Sequence, residues 1–254
     1  MPRPQEDLLM APAGPAPRRR GRPRHPVLSE ERITKAAIKI VTTRGYRHLT
    51  MTELARELKV STSALYNHTP SKREVLIRVQ DAINQGIDCS AFGTVPWDRA
   101  LESWARSYRD CYAQHTAMIP IMAVQPVADS PHTLQMYETV ASGLADAGWE
   151  RASIVDVIVS IESLVFGAAY DATAPADIFD PGERADLAPV FAAAVQARPA
   201  DATAAADAAF DAALTAMLEG FRLRLAAARD RAGRQDGSAG QDGSAGQNGS
   251  AGQD

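Results

Sequence analysis

The chain has 254 residues, 45% of them hydrophobic and 23% charged, so it can bury a full core in one large domain or two smaller ones. It holds no run of about eighteen apolar residues and no apolar segment behind its basic N-terminus, which predicts a cytoplasmic protein without a membrane span or secretory signal. Residues 1–80 carry 16 Lys and Arg against 7 Asp and Glu, whereas residues 81–254 carry 11 against 24. A basic front on an acidic body suits a nucleic-acid-binding head, although a solvated basic face has the same composition.

The first 26 residues are rich in Pro, Arg and Gly and lack periodicity, which predicts a disordered basic arm. Arg22 is the central residue of a Gly-Arg-Pro core like that of AT-hook motifs, and Arg24 follows that core directly. The arginines of AT-hook motifs enter the minor groove of A/T-rich DNA. Non-specific attraction of a basic tail to phosphates accounts for these residues equally well. Arg22 and Arg24 are therefore candidate DNA contacts in either of two ways.

The first two helices are predicted from their end signals. Ser29 is a good N-cap for a helix over residues 30–44, which Gly45 ends. Thr50 and Glu53 have the spacing of a capping box, and the helix behind them ends near residue 58.

A very short third helix and a longer fourth one follow. Ser61 is the next N-cap, and residues 62–67 are enough for about one and a half turns. Ser71 and Glu74 form a second capping box that opens a helix to about residue 88. Two short helices joined by a tight turn predict a helix-turn-helix unit, with the third helix as the recognition helix.

The third helix presents small polar side chains outward. Thr62, Ser63, Tyr66 and Asn67 can reach phosphates or base edges without the bulk that would keep the helix out of the major groove. An ordinary solvated helix face has the same pattern, so spacing alone leaves both interpretations open.

About 45 consecutive residues closely resemble the N-terminal signature of the TetR (tetracycline repressor) family of transcriptional regulators. The matching segments are Arg32-Ile33, Gly45-Tyr46, Leu49 to Ala55, Val60 to Tyr66, His68 and Pro70-Ser71-Lys72. The resemblance implies an all-α fold in which an N-terminal three-helix DNA-binding domain precedes a helical bundle for ligand binding and dimerisation. It also implies a repressor released from a palindromic operator by a small molecule.

The same resemblance assigns roles to individual residues of the head. Thr62, Ser63 and Asn67 correspond to recognition-helix positions, Tyr66 to a phosphate contact, Lys72 to a backbone contact at the start of helix 4, and Thr50 to an N-cap aimed at a phosphate. Two residues depart from the family pattern: Lys59 replaces the usual Gly of the turn, and Thr69 replaces the usual Phe. A left-handed residue other than Gly costs roughly 1–2 kcal/mol, which a fold tolerates. Thr69 leaves less apolar filling beneath the third helix.

Four longer helices are predicted in the body, over residues 97–115, 131–147, 152–170 and 203–229. The third has an apolar stripe that contains Ile154, Ile158, Ile161 and Val165, and the fourth has one with Phe210, Leu214, Met217, Phe221 and Leu225. The family resemblance implies that these two helices pair with their copies in a homodimer, while a role confined to the monomer core is the alternative. Residues 172–202, with four prolines, are predicted to be a connection around one possible short helix.

The body resembles, more loosely, the ligand-binding domain of tetracycline repressors. Where that subgroup has a metal-binding His before the Pro126 corner, this chain has Ile121, which favours an apolar effector over a metal-chelated one. The candidate pocket residues are aromatic, Met and a few polar side chains: Trp104, Tyr108, Met118, Met122, Gln125, Tyr137 and Phe166. Each of them fits a plain core position as well.

The motifs of catalysis are missing from the sequence. The five histidines have no metal-ligand spacing, and no Gly-rich phosphate loop or nucleophile signature occurs, so no cofactor, metal or catalytic residue is predicted. Cys89 and Cys111 are expected to be unpaired residues in or near the core. An enzyme, or a dimeric ligand-binding protein that does not bind DNA, remains an alternative to the regulator.

The predicted organisation has four parts: an arm over residues 1–26, a DNA-binding head over 27–75, a ligand-binding and dimerisation body over 76–230, and a tail over 231–254. The tail repeats Gly-Ser-Ala-Gly-Gln-Asp/Asn and cannot bury apolar surface, which predicts disorder.

Overall fold

A computed structural model of the protein describes residues 28–239, and within that range the secondary structure is entirely helical. The all-α prediction is therefore confirmed. The helices are α1 (Glu30–Arg44), α2 (Met51–Leu58), α3 (Thr62–Tyr66), α4 (Lys72–Asn84), α5 (Trp97–Ala113), α6 (Ile119–Met122), α7 (Pro131–Asp146), α8 (Arg151–Asp171), α9 (Pro189–Gln196) and α10 (Ala202–Ala239). Short 3-10 helices occupy Tyr46–His48, Thr116–Met118 and Gly182–Leu187.

The four predicted N-caps of the head are present. Each cap oxygen accepts a hydrogen bond from the amide three residues later, at 3.3 Å for Ser29 and 3.1 Å for Thr50, Ser61 and Ser71. Such a cap stabilises a helix by about 1 kcal/mol. The reciprocal half of the Thr50–Glu53 capping box is wrong, because the Glu53 carboxylate pairs with Arg44 and Arg56 while the Thr50 amide donates to the His48 carbonyl. Local sequence therefore sets the starts of α1 to α4.

Two helix ends differ from prediction. Helix α4 stops at Asn84, four residues before the predicted end, and in the turn that follows Gly86 lies so close to α5 that a Cβ there would be 3.2 Å from the Cys111 sulfur. Helix α10 continues to Ala239, ten residues beyond the predicted end. The helix contains no proline, and each of its late glycines costs only about 1 kcal/mol, so its backbone ladder can continue. Residues 231–239, predicted as part of a disordered tail, are thus helical.

Helix α4 joins the head to the body. On the head side it packs against α1, and on the other side it packs against α5 and α7. The head core is formed by buried residues such as Ile33, Leu54 and Leu65, and it is continuous with the core of the body. Any change in the angle of α4 therefore alters the position of the head relative to the core of the body.

Helix α8 lies at the centre of the body, packed against α5, α7 and α10. It is also long and apolar enough to span a membrane, the single such helix between residues 28 and 239. Val157, Ile161 and Val165 are fully buried in the body core. Core helices of globular proteins commonly have this length and composition, so α8 is weak evidence for a membrane span.

Candidate DNA-binding surface and effector core

The turn between α2 and α3 is made by Lys59. Its backbone is left-handed, with φ 57° and ψ 43°, and it is the one residue other than Gly with positive φ among residues 28–239. Its amide donates to the carbonyls of Ala55 and Arg56, which closes α2 and sends the chain into α3 after two more residues. The departure of Lys59 from the family pattern thus falls at the position where the backbone most needs Gly.

Helix α3 presents its polar face to solvent. Ser63, Tyr66 and Asn67 are exposed and Thr62 is half-buried, whereas Leu65 is completely buried and anchors the helix. Tyr66 is 49% exposed, which is high for so large a side chain and leaves its hydroxyl free to reach outward. The four predicted recognition residues are thus together on one short, accessible helix.

Two further predicted DNA contacts, Thr50 and Lys72, lie at the N-terminal ends of α2 and α4, the helices before and after α3. Thr50 is exposed at the N-terminus of α2, and the ammonium of Lys72 lies 3.7 Å from the centroid of the Tyr46 ring. Sequence reasoning did not single out Tyr46, although it belongs to the Gly45-Tyr46 pair of the family signature. Arg22 and Arg24, the other predicted DNA contacts, lie outside the described residues.

Ion pairs fasten α1 to α2 beneath this surface. Lys39 Nζ lies 2.6 Å from Glu57 Oε1, and Arg44 contacts both Glu53 and Glu57. The hydrogen bond from Lys39 lowers the pKa of Glu57, and the bond from Arg56 lowers that of Glu53. These carboxylates stay ionised and paired, which leaves the positive charge of Lys59 and Lys72 available on the recognition side.

Thr69, the second departure from the family pattern, is completely buried beneath α3. Its hydroxyl lies 3.5 Å from the Ser71 carbonyl, a long and therefore weak hydrogen bond. A smaller side chain than Phe thus fills this position, as the sequence predicts.

The predicted effector residues fall into two groups. The rings of Trp104, Tyr108 and Phe166 form a cluster with centroids 5.4 Å and 5.7 Å apart, and both pairs are edge to face. Met118 and Met122 are buried in the same core, and Tyr137 is half-buried against it. Gln125 is separate, at the turn after α6, where its backbone amide donates to the Met122 carbonyl. The structure therefore brings the aromatic residues together and leaves Gln125 near the surface.

Glu162 connects this cluster and was missed by sequence reasoning. The Tyr108 hydroxyl donates to Glu162 Oε1 at 2.9 Å, and the Tyr137 hydroxyl donates to the same oxygen. Burial raises the pKa of Glu162, an effect that the two phenolic hydrogen bonds partly offset. The sequence signal was an acidic residue on the long apolar helix α8.

Trp104 provides an unused donor in the same core. The residue is completely buried, and its indole Nε1 has no hydrogen-bond partner among residues 28–239. A buried donor without a partner costs about 1–3 kcal/mol, so native proteins rarely keep one without a reason. An acceptor atom on a bound molecule would remove that cost.

A cleft of about 720 Å³ lies elsewhere, between the head and the body. It is lined by α1, α4 and the regions around His115 and His132, and by none of the seven predicted effector residues. Within residues 28–239, no group of three or more His, Cys, Asp or Glu could hold a metal ion.

Comparison with known proteins adds family evidence to this geometry. The family model described as tetracyclin repressor-like, C-terminal domain, matches residues 93–225, more than half of the chain, and the model described as bacterial regulatory proteins, tetR family, matches residues 33–79. The chain belongs to the TetR family. The match over residues 93–225 covers the aromatic core and the match over residues 33–79 covers the recognition surface, so the TetR resemblance of the sequence is confirmed for head and body alike.

Individual TetR-family relatives differ in how much of their length is matched. The HTH-type transcriptional repressor DrrR1 of Streptomyces coeruleorubidus is 29% identical over 153 residues, which are 60% of this chain and 56% of that protein, so the match spans little more than half of that relative. The tetracycline repressor protein class A from transposon 1721 of Escherichia coli is 27% identical over 222 residues, 83% of this chain and 98% of that protein. The crystal structure of the TetR family protein ActR of Streptomyces coelicolor with actinorhodin shares the fold, with a TM-score of 0.62, 20% identity, and coverage of 79% of this chain and 99% of ActR.

Proposed function

We propose that this protein is a ligand-responsive, sequence-specific DNA-binding transcriptional regulator in the cytoplasm, a repressor that a small molecule releases from a palindromic operator. The observation that carries the proposal is the exposed polar face of α3 next to Lys72, on a head whose acidic side chains are already paired. A short helix with small polar side chains fits the major groove, and basic residues beside it neutralise phosphates.

In this proposal the contacts divide into two classes. Ser63, Asn67 and Thr62 read base edges, while Tyr66, Lys72 and Thr50 bind the phosphate backbone and set the register of the helix. Arg22 and Arg24 of the preceding arm add minor-groove or phosphate contacts. Base contacts carry the sequence preference, whereas backbone contacts strengthen binding to every sequence and make it salt-dependent.

The effector is a largely apolar, aromatic molecule in the core lined by Trp104, Tyr108, Met118, Tyr137 and Phe166. The unpartnered Trp104 N–H can donate a hydrogen bond to an acceptor oxygen on the ligand. A ligand hydroxyl can replace one of the tyrosines as a hydrogen-bond donor to the Glu162 carboxyl. Met122 and the more distant Gln125 complete the proposed set. ActR, a protein of the same fold, was crystallised in complex with actinorhodin.

A homodimer forms through α8 and α10. The stripes that the sequence suggested for this purpose, such as Ile158 on α8 and Leu214 on α10, are buried within the monomer and are not available. Other faces of the same helices expose Val155, Val159 and Tyr170 on α8 and Leu223 on α10. A second copy that covers these apolar residues would place two α3 helices on successive major grooves, about 34–36 Å apart.

An enzyme is the alternative, and two observations make it the weaker one. The perturbed carboxyl, Glu162, is bonded by two tyrosines whose own pKa values are raised by burial, so its neighbours are poor proton donors. The polar face of α3, moreover, has no use in catalysis. A regulator changes its DNA affinity when it binds ligand, whereas an enzyme would consume the ligand without DNA.

The test is selection of bound duplexes from random DNA, with the wild type and with Tyr66→Ala/Lys72→Ala run in parallel. The wild type should enrich a two-fold symmetric sequence, and the double variant should bind that sequence at least tenfold more weakly. Lys35→Ala is the matched control, since Lys35 lies on α1 and pairs with Glu31. An enriched sequence without two-fold symmetry, or unchanged affinity of the double variant, would contradict the proposed binding of α3 to a palindromic operator.

A further inference from the structure

Asn84, at the C-terminal end of α4, uses both ends of its buried side-chain amide. Its Nδ2 donates to Thr133 Oγ1 of α7 at 2.9 Å, and its Oδ1 accepts a hydrogen bond from the Tyr112 hydroxyl of α5 at 2.9 Å. Asn84 is only 4% exposed. One side chain thus ties the linking helix to two separate helices of the body.

Asp81, one turn earlier on α4, reinforces this junction. Its carboxylate accepts hydrogen bonds from the Ser130 hydroxyl and, at 3.4 Å, from the backbone amide of Thr133. Ser130 and Thr133 are themselves joined at 2.8 Å and completely buried. We refer to Asp81, Asn84, Tyr112, Ser130 and Thr133 as the α4 latch.

Tyr112 links the latch to the effector core. Its ring contacts Phe166 and Tyr108, with centroid separations of 5.1 Å and 5.2 Å, and both residues belong to the predicted effector set. A ligand that moves these rings also moves the hydroxyl that holds Asn84. Ring contacts and one hydrogen bond therefore form a continuous path from the effector core to α4.

Gln80, on α4 between the head and the latch, acts against this position of the helix. The residue is 4% exposed and its Oε1 has no hydrogen-bond partner in the described part of the chain, so the present arrangement of α4 carries an unrecovered desolvation cost. The latch and the unpaired Gln80 oxygen therefore oppose each other on the same helix. A shift of α4 that pairs or exposes the Gln80 oxygen would recover that cost.

We propose that Tyr112 and Asn84 are positioning residues that transmit the state of the body to the DNA-binding head by holding or releasing α4. The proposal rests on the proposed function, because it names residues through which operator and effector affect each other. Arg78 carries the movement onward, since its guanidinium donates to the His68 carbonyl behind α3 at 3.1 Å. Coupling of this kind is reciprocal, so operator binding must also alter the latch.

The test uses that reciprocity and needs no known effector. Hydrogen exchange is measured on the full-length wild type with and without the duplex enriched in the selection experiment. Operator should change the exchange rates of amides in α5 and at the start of α7 by about threefold or more. Tyr112→Phe should lose most of that change and still bind the duplex. Thr139→Val is the control, because it deletes a hydroxyl of α7 that bonds the Gln135 carbonyl within its own helix and not α4.

Thr133→Val provides a second variant should Tyr112→Phe fold poorly, since it removes the other partner of Asn84 and should give the same loss. An operator response retained in both variants, or lost equally in Thr139→Val, overturns the proposal. A wild type that binds the duplex without any change in α5 or α7 also overturns it while leaving the proposed function intact. Failure to enrich any duplex removes the proposed function and the latch proposal with it.

Discussion

The ammonium group of Lys72 lies 3.7 Å from the centroid of the Tyr46 ring, which joins the first turn of α4 to the short 3-10 helix after α1. A cation over a tyrosine ring gains about 0.5–1 kcal/mol at an exposed site. The ring restricts the otherwise flexible lysine side chain and holds its charge at the start of α4. The phosphate contact proposed for Lys72 is therefore partly preorganised before DNA binds.

Lys72→Ala should weaken binding to all duplexes by a similar factor of about tenfold, because a phosphate contact carries no base information. The slope of log affinity against log salt concentration should become shallower by about one unit. Fluorescence anisotropy at several salt concentrations, on the enriched duplex and on an unrelated one, measures both quantities. Lys35→Ala, which changes the same charge on α1, should leave the slope unchanged, and a loss confined to the enriched duplex would count against the phosphate role.

The head was predictable from its sequence because its helix ends depend on local residues. Ser29, Thr50, Ser61 and Ser71 each cap a helix through an amide three positions away, so each signal lies within one short segment. The interaction of Lys72 with Tyr46 was not predictable in this way. It depends on how the 3-10 helix that contains Tyr46 meets the start of α4 after α1 and α4 have packed together.

Lys59→Gly should raise the free energy of unfolding by roughly 0.5–1 kcal/mol. The left-handed conformation of Lys59 costs about 1–2 kcal/mol for a residue with a Cβ, and Gly removes this strain. The greater conformational entropy of Gly in the unfolded chain offsets part of the resulting stabilisation. Urea denaturation measures the change. Lys35→Gly should instead lower stability by about 1 kcal/mol, since Lys35 lies inside helix α1. Equal changes in both variants would show that backbone strain at Lys59 is not the cause.

The body was predictable in outline only, because its decisive contacts join residues far apart in the chain. The aromatic pocket residues could be chosen by type, yet Glu162, which binds two of them, looked like an isolated charge on α8. Asn84 and Thr133 are 49 residues apart, and no local pattern links them. The apolar stripes of α8 and α10 were visible, but periodicity does not reveal whether a stripe such as that of Ile161 faces the monomer core or a second copy.

Leu223→Glu should raise the dissociation constant of the proposed dimer by about 30-fold or more, which corresponds to roughly 2 kcal/mol. Leu223 is 73% exposed on α10, and the charge would be buried against the partner twice in a symmetric interface. Sedimentation velocity over a range of protein concentrations follows the change. Val124→Glu is the control, because Val124 is 79% exposed but lies outside α8 and α10. A wild-type protein that remains monomeric at micromolar concentration would contradict the dimer itself.

Glu162 should make the stability of the protein depend on pH. Burial raises its folded-state pKa above the ordinary value of 4.5, so the unfolded chain releases this proton at lower pH than the native state does. The contribution of Glu162 to stability is therefore fully present below pH 4.5 and is lost as the pH rises through the raised pKa of the folded protein. Above that range an ionised carboxylate is held in the aromatic core.

Glu162→Gln keeps an acceptor for the two tyrosines and removes the titration. The difference in unfolding free energy between wild type and variant should therefore shift in favour of the variant as the pH rises from about 4.5, in the direction that the linkage relation requires. Thermal and urea unfolding in a series of buffers from acid to neutral pH provides the curves. Glu219→Gln, which removes an exposed carboxyl of α10, is the control for the loss of one charge. A difference between Glu162→Gln and wild type that stays constant over the series would mean that the carboxyl is not titrating within the folded core.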